Sequence, residues 1–454
     1  MADTSQPIAR RPSDRAYACI QWIFMGLLAA LWALGRYGPR YLDIPRPVGF
    51  RLFVVAILAM NILWWSVADR RFARHINSPT RSRRLRILVA VFSAVLVAPL
   101  IQMVIVGRFP AFLNTAPVWY SAAVTLWNIG LMVVMPMIAG LRLLFLGIAA
   151  LARRIKRTPQ SQPTVEPINL SRRAMLRTSL ASIPMLALSA GTGYSYAQNR
   201  RLQVSRHQLP APWLPARLKG LTITHVSDLH VGRLYRPDQL PRLVDMVNDL
   251  RSDLILITGD VVDISNDMLP PALDAFAQMH AAHGLFTCIG NHDEIDDRDA
   301  FITAMRERLP LLIDQCHPLT IGGERITLAG LDWARNDRAI GPRAGHAEHV
   351  QSMLRLHDPN ADGPIIALAH HPHAWDALAD AGIPLTLSGH THGGQIMLTP
   401  PNTRPDIGCG QALFRYIRGF YEKPGSTLFV NRGVGNWFPL RINSPAEIVQ
   451  IQLV

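Results

Sequence analysis

Seven side chains in the second half of the chain have the types and spacing to hold a pair of metal ions: Asp228, His230, Asp260, Asn291, His370, His390 and His392. Hydrolysis assisted by two metals needs about four ligands per ion, one of them a carboxylate shared between ions roughly 3.5–4 Å apart. The seven offer carboxylate, amide and imidazole donors, a mixture that suits manganese, iron or zinc better than magnesium or calcium. Taken singly, each signal is weak. Asp-x-His recurs by chance, and an isolated histidine is more often a core or surface residue than a ligand. Their force comes from their order and from what precedes each of them.

What precedes each is a short apolar run. Residues 221–226 read as a buried strand leading into Ser227-Asp228-Leu229-His230, and 254–258 as a second ending at Gly259-Asp260. A third, 285–289, ends at Gly290-Asn291-His292-Asp293; 364–369 ends at His370, and 384–387 at Gly389-His390-Thr391-His392. Between the first two strands Leu240, Leu243, Val244, Val247 and Leu250 keep helical spacing, and 272–280 predicts another helix. Every polar cluster thus lies just past the C-terminal end of a strand, where open α/β sheets carry their sites.

In this order D-x-H, G-D-x-x-D, G-N-H-D, H-x-P and G-H-x-H resemble the calcineurin-like metallophosphoesterase superfamily. Here they are Asp228/His230, Gly259-Asp260-Val261-Val262-Asp263, Gly290–Asp293, His370-His371-Pro372 and Gly389–His392. The continuation Gly393-Gly394-Gln395 and the tail Asn431-Arg432-Gly433-Val434-Gly435, leading to Pro445-Ala446-Glu447-Ile448, resemble a bacterial membrane-associated branch. The resemblance covers roughly 215–454. It implies an α/β protein, a four-layer α/β/β/α sandwich with two divalent transition-metal ions (manganese, zinc or iron) on loops at one edge. One ion would take Asp228, His230 and His392, the other Asn291, His370 and His390, with Asp260 shared. Water activated by both ions would attack phosphorus in line with the leaving oxygen. His292 would protonate the leaving group or stabilise the phosphoryl oxygens, and Asp293 would orient its ring. Asp263 is expected to hydrogen-bond to a ligand or to serve as a turn residue. His371 and His373 flank His370 and either could line the pocket, with solvent-exposed bystanders the favoured expectation, and His225, His317, His346, His349 and His357 are expected to be structural.

The first half is different material. Residues 1–199 carry 23 Lys and Arg against 5 Asp and Glu, whereas 200–454 carry 23 against 27. The excess basic charge therefore belongs to the half with the long apolar runs, and reads as membrane-flanking charge rather than a nucleic-acid footprint. Four runs have the length of a bilayer span, 16–34, 48–67, 87–106 and 120–140, and predict an all-α transmembrane bundle within 1–157. Seven arginines between 69 and 86, and the cluster Arg153-Arg154-Ile155-Lys156-Arg157, mark cytoplasmic sides; Arg36, Arg40 and Arg46 sit in a loop that would face out. Residues 158–199 hold a Pro/Gln-rich linker, then Ser171-Arg172-Arg173-Ala174-Met175-Leu176-Arg177 and a moderately apolar stretch, 178–196. This resembles a twin-arginine export signal, with an ordinary anchor as the plainer reading. Either makes a fifth crossing and sets residues 200–454 outside the cytoplasm of a bacterial inner membrane, the export reading bringing in a twin-arginine translocase as partner; a third reading, a buried helix that never crosses, would leave them cytoplasmic. Ser195-Tyr196-Ala197 would serve as a cleavage site. Cys19, Cys288, Cys316 and Cys409 are too few and too scattered for a disulfide framework.

The function expected is hydrolysis of a phosphoester or pyrophosphate bond in a phosphorylated small molecule or lipid. Some relatives of the branch cleave UDP-2,3-diacylglucosamine, a lipid A precursor, but that substrate is cytoplasmic and conflicts with the expected topology. The alternatives are a phosphoprotein phosphatase, a non-catalytic membrane sensor, and a transporter with an appended enzyme. The first is weakened by Ile264, where that branch carries an arginine after G-D-x-x-D. The second is weakened by the complete ligand set, and the third by spans free of acidic residues.

Overall fold

The computed structural model describes residues 54–62, 64–66, 69, 78–106, 119–128, 190–195, 197–198, 201–333, 344–355, 357–358, 361–412, 414–436 and 439–454. Its contacts divide the chain into two compact units, Met1–Thr192 and Gly193–Val454.

The described part of the first unit is helical. Helix α1, Pro79–Val106, starts with Ser78 Oγ accepting the Arg81 N–H (3.4 Å) and proline at the first position, where a missing N–H costs nothing. It begins eight residues before the expected span 87–106, because arginine is a good helix former and Arg81, Arg83, Arg84 and Arg86 extend the helix backwards. Arg86 pairs with Asp69 at 2.6 Å. Pro79–Gln102, 24 residues, is the one helix among the described residues long and apolar enough to cross a membrane. Val89, Leu96 and Leu100 are buried, yet Ile87, Leu88, Val91, Val95 and Ile101 on the exposed side are equally apolar. A helix apolar all round belongs in a core or in lipid.

Helical residues 54–62 and 119–128 pack against α1, Val54 and Ile57 meeting Leu100, and Val124 and Trp127 meeting Leu96. Three polar side chains stitch them together. Asn61 donates to Asn128 Oδ1 (2.8 Å), Trp127 Nε1 donates to Asn61 Oδ1 (2.8 Å), and Asn128 donates to the Val124 carbonyl (2.7 Å). The expected span 16–34, the later part of 120–140, the 153–157 cluster and Arg172-Arg173 lie outside the described residues.

The second unit is built on two six-stranded sheets. The first has the order β1 (Gln203–Leu209), β12 (Glu447–Leu453), β2 (Thr222–Val226), β3 (Leu254–Thr258), β4 (Leu285–Cys288), β5 (Leu311–Leu312). The second runs β10 (Gly419–Lys423), β11 (Ser426–Val430), β9 (Leu385–Ser388), β8 (Ile365–Leu368), β7 (Glu324–Gly330), β6 (Gln315–Ile321). Strands β2, β3, β4 and β5 are mutually parallel, as are β7, β8, β9 and β11.

The site-bearing strands are almost wholly buried because both faces are covered, and β3 and β8 are the most apolar of them. In β3, Leu254 and Leu256 point into the space between the sheets, where they join Ile366, Leu368, Leu385 and Leu387. Ile255 and Ile257 point the other way, against Leu243, Val247, Phe276 and Phe301 of helices α2 (Leu240–Asn248), α3 (Leu269–Phe276) and α4 (Arg298–Arg306). In β8 the partition repeats: Ile366 and Leu368 face inward, while Ile365 and Ala367 meet Val350, Met353 and Leu378 of α5 (Ala344–Leu354) and α6 (Trp375–Asp380). Helix, sheet, sheet, helix is the four-layer sandwich expected. It brings the C-terminal ends of β2, β3, β4, β8 and β9 to one edge.

Candidate metal centre

Five of the seven predicted ligands have left-handed backbone: Asp228 (φ 51°), His230 (45°), Asp260 (53°), His390 (70°) and His392 (49°). Residues with side chains rarely adopt this conformation, and each instance costs about 1–3 kcal/mol. It turns the chain sharply as it leaves the strand, so that successive side chains aim back over the sheet edge. Neighbouring glycines let the turns nest: a Cβ at Gly290 would strike the Asp260 carboxylate, and one at Gly389 would strike Asp228 and Ser227.

The side chains converge. His230 Nε2 lies 3.0 Å from His392 Nε2, and Asp228 Oδ1 lies 3.3 Å from His392 Nε2. Asp260 Oδ2 stands between two histidines, 3.4 Å from His230 Nε2 and 3.1 Å from His370 Nε2. His370 and His390 rings meet edge to face at 5.1 Å. Ligand atoms of Asp228, His230 and His392 all lie within 4.8 Å of one another, and so do those of Asp260, His370 and His390. The remaining member, Asn291, has a buried Oδ1 with no hydrogen-bond partner. That orphaned acceptor, beside paired carboxylates and clustered imidazoles, fits a cation.

Backbone groups fix the orientation of these donors. The His370 Nδ1–H is held by the Thr258 carbonyl (2.6 Å), which leaves Nε2 facing Asp260. Asp260 Oδ1 accepts the His292 N–H (2.8 Å), so Oδ2 is the oxygen turned to the histidines. Asp228 accepts the His390 N–H (3.0 Å) and the Ser227 hydroxyl (2.6 Å). Burial lowers the His370 imidazole, but the Asp260 charge and hydrogen bond outweigh it and carry the group up to about 9. Burial likewise works against the Asp260 carboxylate, and His370 and His230 hold it well below the usual range. Protons are standing in for metal charge.

The other expected residues are placed less simply. His292 is half-buried beside His230, ring centroids 4.4 Å apart, and its Nδ1–H is held by the Asp263 backbone carbonyl. Asp293 does not orient that ring, contrary to expectation. Its carboxylate accepts the N–H groups of Asp260 (2.9 Å), Val261 (2.7 Å) and Gly290 (2.8 Å), stapling the β3 and β4 loops together. Burial and the nearby Asp260 push Asp293 up to about 7. Asp263 Oδ1 lies 3.8 Å from both His230 Nδ1 and His292 Nδ1, too far for a direct hydrogen bond.

His371 and His373 are not exposed bystanders. Pro372 opens a short turn in which His371 Nδ1 accepts the His373 N–H (3.1 Å), and this turns the His371 ring inward against His390 (4.8 Å). Burial and the adjacent histidines hold His371 well below its usual range. His225 is buried, with Nε2 on Thr258 Oγ1 (2.9 Å).

Two participants had no sequence signal. Trp333, three residues past the end of β7, packs over His370, His371 and His390 at 5.1–5.6 Å. Arg441 is fully buried and donates to the carbonyls of Arg432 (2.9 Å), Gly433 (3.1 Å), Gly435 (2.6 Å) and Ser444 (2.9 Å), with Nη2 3.4 Å from His392 Nδ1. It clamps the Asn431–Gly435 loop, whose Gly433 lies against Asp228. Neither residue belongs to a strand-end motif, so only the folded chain shows them.

A sandwich with carboxylates and imidazoles gathered at its strand ends, preorganised for cations, defines a metal-dependent hydrolase of phosphorus esters. Residues 221–394 match the family model of the calcineurin-like phosphoesterases, and the chain carries a domain of that family. It is similar to a zebrafish transmembrane protein with a metallophosphoesterase domain, 28% identical over 89% of each chain. It is also similar to the uncharacterized metallophosphoesterase YkuE of Bacillus subtilis, 28% identical over 63% of this chain and 98% of that one. A third relative, the UDP-2,3-diacylglucosamine pyrophosphatase LpxG of Chlamydia trachomatis, is 27% identical over 60% of this chain and 95% of that protein. With the apolar helix Pro79–Gln102, the likeness to the transmembrane relative marks a membrane protein.

Proposed function

We propose that the chain is a multi-pass membrane enzyme that uses two divalent transition-metal ions to hydrolyse a phosphoester or pyrophosphate bond in an amphiphilic substrate. Asp228, His230 and His392 would hold one ion, Asn291, His370 and His390 the other, and Asp260 would be shared. The observation that carries the reading is the position of Asp260 Oδ2, within 3.4 Å of a histidine from each group. The ions would supply Lewis-acid charge and acidify bound water. The chain supplies the rest. The Asp263 carbonyl fixes the Nδ1–H of His292 and leaves Nε2 to exchange a proton with the leaving oxygen. Trp333 and His371 wall the histidine side of the site and exclude water there.

A lipid-linked substrate is supported by membrane attachment and by the likeness to LpxG, which is named for a UDP-linked diacyl sugar. The proposed division is a four-span region at 1–157, a linker with a twin-arginine-like segment at 158–199, and the catalytic domain at 200–454, outside the cytoplasm. The catalytic unit is compact from Gly193, and Ser195 is buried, with its hydroxyl accepting the Arg441 N–H (3.1 Å). Such burial favours an anchor over a cleaved signal. A phosphoprotein substrate is disfavoured, because Ile264 is 51% exposed where that branch places its phosphate-gripping arginine.

A reporter fused after Val454 tests the topology and narrows the substrate together. An extracytoplasmic signal that is lost when Arg172 and Arg173 become Lys would support twin-arginine export. A cytoplasmic signal in the unaltered chain would remove the fifth crossing and leave the UDP-linked lipid precursor as the better substrate. Lysine keeps the charge, so an ordinary anchor would be indifferent to the exchange.

A further inference from the structure

Six residues beyond His392 the chain forms a closed loop, 398–407, that the mechanism does not use. The Leu398 N–H donates to the Ile407 carbonyl (2.7 Å), and Met397 pairs with Gly408 below it. Leu398 is 76% exposed and Ile407 44%. One exposed leucine needs no explanation, but this pair is held out deliberately. Arg418, itself buried, donates to the carbonyls of Thr399 (3.1 Å) and Pro400 (2.9 Å) and to Asp406 Oδ1 (2.8 Å). Asn443 donates to the carbonyls of Met397 (3.1 Å) and Leu398 (3.2 Å). The root of the loop is therefore held on both sides, and Leu398 and Ile407, which close it, are exposed on a fixed backbone.

The composition of the loop identifies its partner. Its only acid, Asp406, is buried and paired with Arg418 and Arg404, so it shows no carboxylate to its surroundings, while Pro400 and Pro405 add exposed apolar surface. Elsewhere on this unit acids do reach the surface, as at Asp238 and Asp274, whose side chains are 70% and 66% exposed although each pairs with an arginine, Arg236 (3.2 Å) and Arg308 (3.8 Å). An acid-free surface with one arginine meets no repulsion from anionic phospholipid. Tyr194, where the chain enters this unit from the apolar stretch 178–196, is 44% exposed and donates to Asn443 Oδ1 (3.1 Å) at the root of the same loop. A tyrosine with an apolar face and a tethered hydroxyl suits the headgroup zone.

We propose that loop 398–407 rests in the lipid interface of the membrane that anchors the chain, with Leu398 and Ile407 inserted among the acyl ends of the headgroup layer. Through Ile396 and Gln395 the loop is continuous with His392, so lipid contact sets the metal-site edge beside the bilayer, where an amphiphilic phosphoester can be drawn on without leaving it. The inference rests on the membrane attachment in the proposed function.

The test uses the full chain in phosphatidylcholine–phosphatidylglycerol vesicles, with photoreactive p-benzoylphenylalanine replacing Leu398, Ile407 or, as a control on the helical layer of the first sheet, Arg308. Lipid adducts at 398 and 407 and none at 308 are expected. Absence of lipid adducts at 398, or crosslinking there to a second copy of the chain, overturns the proposal. Release of the unlabelled chain from vesicles by alkaline carbonate would identify the other failure, that of membrane attachment itself, and would overturn both.

Discussion

The two units treat buried polar groups in opposite ways. In the helical unit Asn61, Asn128 and Trp127 satisfy one another and the Val124 carbonyl, at distances of 2.7–2.8 Å, and carry no net charge. In the catalytic unit Asp228, His230, Asp260, His370 and His392 are buried together as ionisable groups, on strained backbone at all but His370, with Asn291 Oδ1 left without a partner. The first arrangement is complete as it stands. The second is complete only with added positive charge, and that difference separates a device that holds helices together from one that does chemistry.

The largest effect expected from this contrast follows from Asp260→Ala. Losing the shared carboxylate should strip metal from both positions and remove several kcal/mol of transition-state stabilisation, a fall in turnover of roughly a thousandfold or more. Wild-type metal content in this variant would break the contrast, since Asp260 would then be an ordinary buried acid. Next is His292→Ala, which should slow hydrolysis of an alkyl ester by about 10²–10⁴ with metal content intact. The loss should shrink for a p-nitrophenyl ester, whose leaving group needs little protonation. Loss of metal in His292→Ala would mean that the imidazole is a ligand.

Proton competition gives a smaller, graded effect. In the metal-free protein Asp260 carries His370 up to about 9, against burial, from an ordinary value of 6.5. Below that pH the proton must leave before the nitrogen can bind a cation, so metal uptake releases a proton and apparent affinity falls as pH falls, by ~tenfold per pH unit for one displaced proton. Titration with zinc in weakly buffered solution measures both, and affinity flat across neutral pH would contradict the assignment. The smallest effect belongs to the helical unit. Asn61→Leu with Asn128→Leu should cost about 0.6–2 kcal/mol, seen as a modest drop in the thermal midpoint in detergent, with the rate of soluble-ester hydrolysis unchanged.

How much of this was legible in the sequence follows from where the information sits. Strands β2, β3, β4, β8 and β9 are short, largely apolar or small-residue runs that end in polar motifs, so run length and motif order reveal them together, with β3 at 254–258 as read. Helix 272–280 was displaced, because Pro270 and Pro271 sit in the first turn, where proline is tolerated, and the helix opens at Leu269. Strands β6 and β10 are edge strands, partly exposed and mixed in composition, and carry no such pattern. In the site the seven donors were readable because they follow strands. The roles of Asp293 and His371 were not, because they depend on which way a turn points a side chain. Arg441 is the extreme case, a charged residue that a linear reading assigns to the surface but which the fold buries by satisfying it with four backbone carbonyls.

The central claim is that the buried acid–imidazole cluster of the second unit is a two-metal site, and elemental analysis of the purified full chain tests it most directly. Close to two transition-metal ions per chain are expected, with hydrolysis of bis(p-nitrophenyl) phosphate abolished by chelator and restored by manganese or zinc. A metal-free chain that hydrolyses the same ester at an undiminished rate in chelator would contradict the account.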